Sequence, residues 1–511
     1  MQVDRKANIV RNIKFGFIAK ILLLIIQFIM KTVMIRILGI LYLGLNSLFT
    51  SVLGILSLSE LGIGSVLVFS MYRPVAEDDT KTICILLNFY RKCYLIIGII
   101  ISIVGLFFLP FIKNFIQGDY PSDINLYVAY LLNLINTSIG YFLFSYRASI
   151  FEAYQRNDLT SKIDTITTLI QSLVQIVLLC LFRNYYLYLI IVPVFSLFRN
   201  ILIWYISKSC FPSLQKLSKE KLDSDIFENI KKQFKGVLFH KLGNAVFLYA
   251  DNLVISTFLG LKILGIYNNY YYIITALIGF ITIISTSLIP TVGNGIIVND
   301  LETNKKEYKY VNLVYYWIAT IGAACLYCLY QPFMVIWMGN DLLLDKKTVF
   351  QLAFLFFVLH ENNANGVYRS ALGIWWEDRF RPIISALVNL GLNLFLIKRI
   401  GIDGVVISSV VSNILVDFPY CTYVLYKNYF KENCVKYILL QYFRLILMIP
   451  IVLVTDYACS YVELQGLVGV FITFIICFLI SNFLFAIINI RNQYFRQFVL
   501  YFLGKIKGIA K

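Results

Sequence analysis

Charge is what this sequence has least of. Only 14% of its 511 residues are charged, against roughly 25% in soluble domains, so a water-exposed fold of this length would have no adequate ionic surface. Acids are scarcer than bases, at 28 Asp and Glu against 45 Lys and Arg. Histidine occurs twice, at His240 and His360. No His stands three residues after the His360-Glu361 pair, so the zinc-protease pattern fails. A Walker-type glycine loop is missing, which leaves direct nucleotide hydrolysis unsupported. Cys325 and Cys328 form CLYC within an apolar run, and the other eight cysteines are scattered. With no second close pair, the expectation is free thiols and no metal site. Ten-residue strands of alternating polarity are also absent, which excludes a transmembrane barrel.

What the sequence does have is hydrocarbon. It is 59% hydrophobic and 16% aromatic, and apolar runs of about 20 residues, each long enough to cross a ~30 Å bilayer as a helix, recur from end to end. The expected fold is therefore all-α and polytopic, because only helices or closed barrels satisfy their backbone in lipid. The spans are placed at 15–37, 45–71, 93–112, 124–146, 163–182, 186–206, 237–259, 266–290, 311–330, 348–368, 382–397, 404–426, 437–455 and 466–488, fourteen in all. The first is read as a true span. It has no small-residue cleavage site and carries Lys20 and Lys31 inside its apolar stretch.

Positive charge sets the orientation. With the N-terminus in the cytoplasm, 32 Lys and Arg fall in cytoplasmic segments and seven in outer ones. That bias is the positive-inside pattern and places both termini in the cytoplasm. The net charge of +17 is thereby a topology signal. Its bases are spread over many short loops, so no nucleic-acid partner is expected.

The chain repeats itself. RILGILYLGLN and TFLGLKILGIYN place Gly39 and Gly44 against Gly260 and Gly265 at an offset of 221, and Lys20 meets Lys241 at the same offset. Pro110 and Pro332, and Arg147 and Arg369, pair at 222. Residues 1–206 thus form a six-helix lobe and 237–426 a second, joined by a charged cytoplasmic linker, 207–236. Residues 427–511 add two helices and a C-terminal aromatic and basic segment expected on the cytoplasmic membrane surface. Six spans per half make the repeats parallel, with a binding site expected between them.

Polar residues inside lipid-length helices raise a functional question. Lys20, Gln27 and Lys31 share one face of the first span. In the seventh, FHKLGNAVFLYADNLVI, a broad arc holds Lys241, Asn244, Asp251 and Asn252. Two equivalent cationic, amide-bearing stripes suit an anionic substrate. The alternative for Lys20 and Lys241 is snorkelling to the interface. Arg147 and Arg369, a symmetric pair, fit either gating or anchoring at helix ends, with anchoring favoured. The buried acids are Glu60, Asp251, Glu361 and Asp417, with His360 beside Glu361. Three roles fit them: structural pairing, proton transfer or Na⁺ coordination.

IRILGILYLGLNSLF followed by SELGIGS resembles the start of Wzx-type polysaccharide-repeat-unit flippases of the multidrug/oligosaccharidyl-lipid/polysaccharide exporter superfamily. The resemblance continues in YADNLVISTFLGLKILGIYNNYY, PFMVIWMGND and YRSALGIWWEDRFRP. It implies a two-lobed, V-shaped bundle like the multidrug exporters. Its substrate would be an undecaprenyl-diphosphate-linked oligosaccharide, moved to the outer leaflet of the bacterial cytoplasmic membrane for O-antigen, capsule or other surface polysaccharide. It implies no enzymatic activity and no cofactor beyond Na⁺ or H⁺ coupling; its partners would be membrane lipids, a polysaccharide polymerase and a chain-length regulator. On this resemblance the cationic cavity falls to Lys20, Lys31 and Lys241. An organic-cation exporter of the same superfamily is the rival reading, but it should carry acids in both lobes in place of the repeated lysine. A membrane polymerase or ligase is a third, disfavoured by the short outer loops.

Overall fold

The computed structural model describes residues 5–57, 62–215, 218, 220–462, 464, 466–497 and 499–500. Among them the chain is helical throughout, with no strand. The first part contains α1 (Arg5–Ile37), α2 (Ile40–Leu56), α3 (Ile63–Ala76), α4 (Thr80–Phe108), α5 (Leu126–Phe142), α6 (Ala148–Ala153), α7 (Asn157–Phe182) and α8 (Tyr185–Cys210). Then follow α9 (Ser224–Val298), α10 (Leu301–Met338), α11 (Lys346–Glu361), α12 (Asn363–Leu372), α13 (Arg381–Ile400), α14 (Ile402–Ser412), α15 (Phe418–Leu425), α16 (Val435–Cys459) and α17 (Gly466–Asn489). Helix starts are written into the sequence: Asn125, Asn184 and Asp300 each accept a hydrogen bond from a first-turn amide of α5, α8 and α10.

Among the described residues, ten helices are long and apolar enough to cross a membrane, or eleven if the bent pair Leu126–Phe142 and Ser145–Ala153 is one span. The expected count of fourteen is not reproduced by that measure, because several expected spans are short, broken or fused. Ile40–Leu56 and Ile63–Ala76 are shorter apolar helices. The 75 residues of α9 would run about 110 Å as one rod, several times the bilayer core, but α9 is not straight. Gly260 breaks it with φ 84° and ψ 176°.

Gly39, 221 residues earlier, has φ 103° and ψ 171° and separates α1 from α2. The two breaks therefore share a backbone conformation that side chains with a Cβ rarely adopt. The next repeated glycines form a reciprocal contact. A Cβ on Gly44 would stand 2.1 Å from the carbonyl oxygen of Leu261, and one on Gly265 would stand 2.7 Å from that of Ile40. Ile40 and Leu261 are themselves 221 apart. Residue i meets j′ and j meets i′, which is the signature of a two-fold contact.

Packing divides the chain into a unit Met1–Asn268 and a unit Asn269–Lys511. The boundary lies beyond residue 237, where the second lobe was expected to begin. Contacts from 249–265 to α2 account for the shift: besides the glycines, Tyr249 packs on Gly54 and Asn252 bonds Ser51. In the first unit α1 packs on α7, α7 on α8, and α5 on α4 and α8. In the second, α10 is the hub, contacting α11, α16 and α17. Helix α17 is built inside out. Leu467, Val468, Phe471, Leu479 and Phe483 of α17 are exposed, whereas Gly469, Thr473, Cys477 and Ser481 are buried. A small, weakly polar stripe turned inward and large apolar groups turned outward are what lipid solvation selects.

Candidate functional site

The first unit holds all six expected substrate-binding residues, Lys20, Gln27, Lys31, Lys241, Asn244 and Asn252. At about 100° per residue, the exposed Ile18, Leu22, Ile25 and Ile29 define one face of α1. Lys20, Gln27 and Lys31 lie about 180° away from it on the same helix. Gln27 is exposed there, and Lys20 and Lys31 are half-buried. Ala19, Ile26, Met30 and Met34 pack along the flank. The polar stripe thus lies on the side turned away from the apolar, lipid-type face, with Gln27 exposed and the two lysines partly covered.

Lys31 Nζ donates to the carbonyl oxygen of Asn268 at 3.4 Å. Asn268 Nδ2 donates to Asn252 Oδ1 at 3.2 Å, and Asn252 Nδ2 to Ser51 Oγ at 2.8 Å. One polar chain therefore connects α1, α2 and the two parts of α9, and it includes two of the expected site residues. Lys241 and Asn244 are exposed on α9, with Asn244 Nδ2 3.5 Å from His240 Nδ1 and Glu152 within electrostatic reach of Lys241. Asp251 is buried. Glu60 lies outside the described residues, as does the end of the C-terminal segment, 501–511.

Arg147 departs from its expected role. It is buried, 5% exposed, with Nη2 3.4 Å from the carbonyl oxygen of Gln215 and, among the described residues, no hydrogen-bond partner at Nε or Nη1. Interfacial anchoring needs a guanidinium in contact with headgroups, and this one is enclosed. The repeat partner, Arg369, is joined to Asp378, which also receives Arg381 Nε at 2.8 Å; Arg381 in turn pairs with Asp417. So Arg369 and Asp417 belong to one ionic cluster within the second unit. The cluster borders a cavity of about 160 Å³ with Asn362, Asn363 and Asn413. Asp417 ends a π-helical turn, Asn413–Asp417, where one extra residue per turn re-aims the side chain.

Glu361 is fully buried and its Oε1 accepts from Arg444 Nη1 at 2.8 Å. The same guanidinium bonds Asn312 and lies 4.5 Å over the Tyr316 ring. Asn362 Oδ1 accepts from Gln441 Nε2 at 2.6 Å, and Asn365 Nδ2 donates to Thr422 at 2.8 Å. His360 packs its ring on Phe356 and has Asn363 Nδ2 3.1 Å from Nδ1. The polar band LHENNANG therefore serves to dock α11 and α12 on α10, α15 and α16. Sequence reasoning passed over Arg444, Asp378 and Arg381. An arginine inside the apolar run 437–455 was the available signal for the first, since it needs a buried acid. For the cysteines, linear spacing was misleading: Cys328, Cys459 and Cys477, from three helices, bring their sulfurs within 4.8 Å of one another.

The description "polysaccharide biosynthesis protein" belongs to the family that matches residues 9–295. No curated protein matches the chain by sequence. Among solved structures, the lipid II flippase MurJ in an inward closed conformation superposes with a TM-score of 0.63 at 14% identity, over 93% of this chain and 98% of that one. An inward-facing multidrug resistance MATE family transporter of the MOP superfamily gives 0.57 at 15% identity, over 78% and 94%. A mutant of the Vibrio cholerae MATE transporter VcmN gives 0.55 at 12%, over 84% and 99%. At these identities the likeness is one of fold.

Proposed function

Because this chain belongs to the polysaccharide biosynthesis protein family and has the MurJ- and MATE-like fold, we propose that it is a flippase for an undecaprenyl-diphosphate-linked oligosaccharide. It would move this lipid from the cytoplasmic to the outer leaflet of the bacterial cytoplasmic membrane, supplying O-antigen, capsule or a related surface polysaccharide. The observation that carries the reading is the stripe of Lys20, Gln27 and Lys31 on the side of α1 opposite its apolar exposed face. A diphosphate is a dense anion, and ammonium groups hold it as point charges without fixing a single orientation. Asn244, Asn252 and Gln27 offer amides to sugar hydroxyls, while the prenyl chain stays in lipid. Na⁺ or H⁺ coupling is part of the same proposal. Glu361 and Asp417 each have an arginine partner, which favours structural pairing for those two acids.

The test is the double variant Lys31→Ala/Lys241→Ala, expressed as the only copy in a strain that needs this protein for its surface polysaccharide. Polymer at the cell surface should fall at least tenfold while the lipid-linked unit accumulates inside and the membrane level of the protein is unchanged. Normal polymer from that variant removes the cationic site. Arg36→Ala, on a different side of α1, is the control and should leave output near wild type.

A further inference from the structure

The four cysteines of the second unit's hub and its two added helices gather where the sequence keeps them far apart. Cys325 and Cys328 lie one turn apart on α10, Cys459 is the last residue of α16, and Cys477 sits in the buried small-residue stripe of α17. Cys477 Sγ is 3.7 Å from Cys325 Sγ, and the sulfurs of Cys328, Cys459 and Cys477 all fall within 4.8 Å. Cys477 touches all three of the others. Four thiolates around one Zn²⁺ with bonds of about 2.3 Å would stand about 3.8 Å apart along each tetrahedral edge. The Cys325–Cys477 distance matches that edge, the sulfurs of Cys328, Cys459 and Cys477 are near enough to share one ion, and all four are free thiols with no sulfur–sulfur bond.

The surroundings suit a metal as well. On α16 the cluster sits at the helix end, where Cys459 is the last residue, Ser460 and Tyr461 beyond it are exposed, and Asp456 one turn back pairs with the exposed Lys346 at 3.0 Å; on α10 and α17 its cysteines lie within the helices. Outside the cluster, the Cys459 thiol donates only weakly, to the carbonyl oxygen of Thr473 at 3.9 Å. Soft thiolate ligands select d¹⁰ cations such as Zn²⁺ and Cu⁺ over Na⁺, Mg²⁺ or Ca²⁺.

We propose that Cys325, Cys328, Cys459 and Cys477 form a binding site for a thiophilic d¹⁰ cation, Zn²⁺ or Cu⁺, that clamps α16 and α17 onto α10. Each sulfur that binds gives its proton to water and the metal keeps its oxidation state, so no oxidant or reductant is required. The ion's role is structural. It joins the two helices outside the internal repeat to the hub of the second unit.

The experiment uses the full-length protein, purified in detergent with a phosphine reductant and dialysed against Zn²⁺ or, anaerobically, Cu⁺. Wild type should retain about one ion per chain, as a closed thiolate site does, and Cd²⁺ should give a thiolate-to-metal charge-transfer band. Cys459→Ser and Cys477→Ser should each lower metal retention at least fivefold, whereas Cys180→Ser, an exposed cysteine elsewhere, should not. Chelation should lower the Tm of wild type and of Cys180→Ser alone. If the serine variants do not fold, wild type titrated with Cd²⁺ before and after thiol alkylation still decides, since alkylation must abolish the band. Absence of the band in unmodified wild type overturns the proposal. So does metal retention equal to wild type in folded Cys459→Ser and Cys477→Ser. A Cys459–Cys477 disulfide found by mass spectrometry in protein isolated without reductant would also overturn it, and would assign the cluster to redox chemistry.

Discussion

Arg444 shows what a single buried charge does in this molecule. Its guanidinium reaches Glu361, Asn312 and the face of Tyr316 together, so the cost of taking two charges out of water is offset by an ion pair, a hydrogen bond and a cation–π contact. Removing one partner strands the other. Glu361→Gln or Arg444→Met should each destabilise by roughly 3–5 kcal/mol, while a joint replacement by apolar residues of similar volume should recover much of the loss. Thermal unfolding of the four proteins in one detergent measures this, and additive single effects would show that the pair is not coupled. The existence of Glu361 as a buried acid was legible from its depth in an apolar run. Its role was not, because the partner stands 83 residues away and pairwise distance is not written in a single sequence. For the same reason CLYC looked like an isolated pair of thiols until α16 and α17 folded back onto α10.

Elements were more legible than residues, since hydrophobic length and capping act locally. Among the described residues the expected spans fall largely on helical segments, and the glycine offset of 221 reappears as matched backbone breaks at Gly39 and Gly260. Legibility ended where helices break or fuse, as at α2 and α3 or along α9, because apolar runs do not record a kink. The reciprocal glycine contact makes the repeat testable as geometry. Gly44→Ala and Gly265→Ala each drive a Cβ into a backbone carbonyl, a collision that no rotamer change relieves. Each should sharply reduce folded protein in membranes, by fluorescence-detected size exclusion. Gly140→Ala, on α5 with nothing within 4 Å of its Cβ, should gain helix propensity without harm. Equal yields from all three variants would mean that the helices carrying Gly44 and Gly265 do not meet backbone to backbone.

At the scale of the whole molecule, the expected orientation of the charges bears on the proposed transport of an anionic lipid. With 32 basic residues assigned to cytoplasmic segments and seven to outer ones, the scaffold's fixed charge stays where it is as the substrate moves. An elementary negative charge moving outward across an inside-negative potential gains about 2.3 kcal/mol per 100 mV. A diphosphate diester with roughly two charges would gain about twice that if it moved unaccompanied. The lysines alter this. If Lys31 and Lys241 travel with the phosphates through the field, the moving complex is nearly neutral and voltage has little effect. If they stay at one depth, handing the anion over as the cavity changes its opening, the potential acts on the bare diphosphate. Lys31 is tied by its ammonium to the backbone of Asn268, which favours the fixed arrangement. Proteoliposomes with a K⁺–valinomycin potential should therefore show outward flipping that accelerates several-fold from zero to inside-negative voltage, measured by enzymatic access to the sugar on the outer leaflet. A rate independent of imposed potential would mean that protein charge accompanies the substrate, and the site would then have to be carried by a helix that moves through the membrane field.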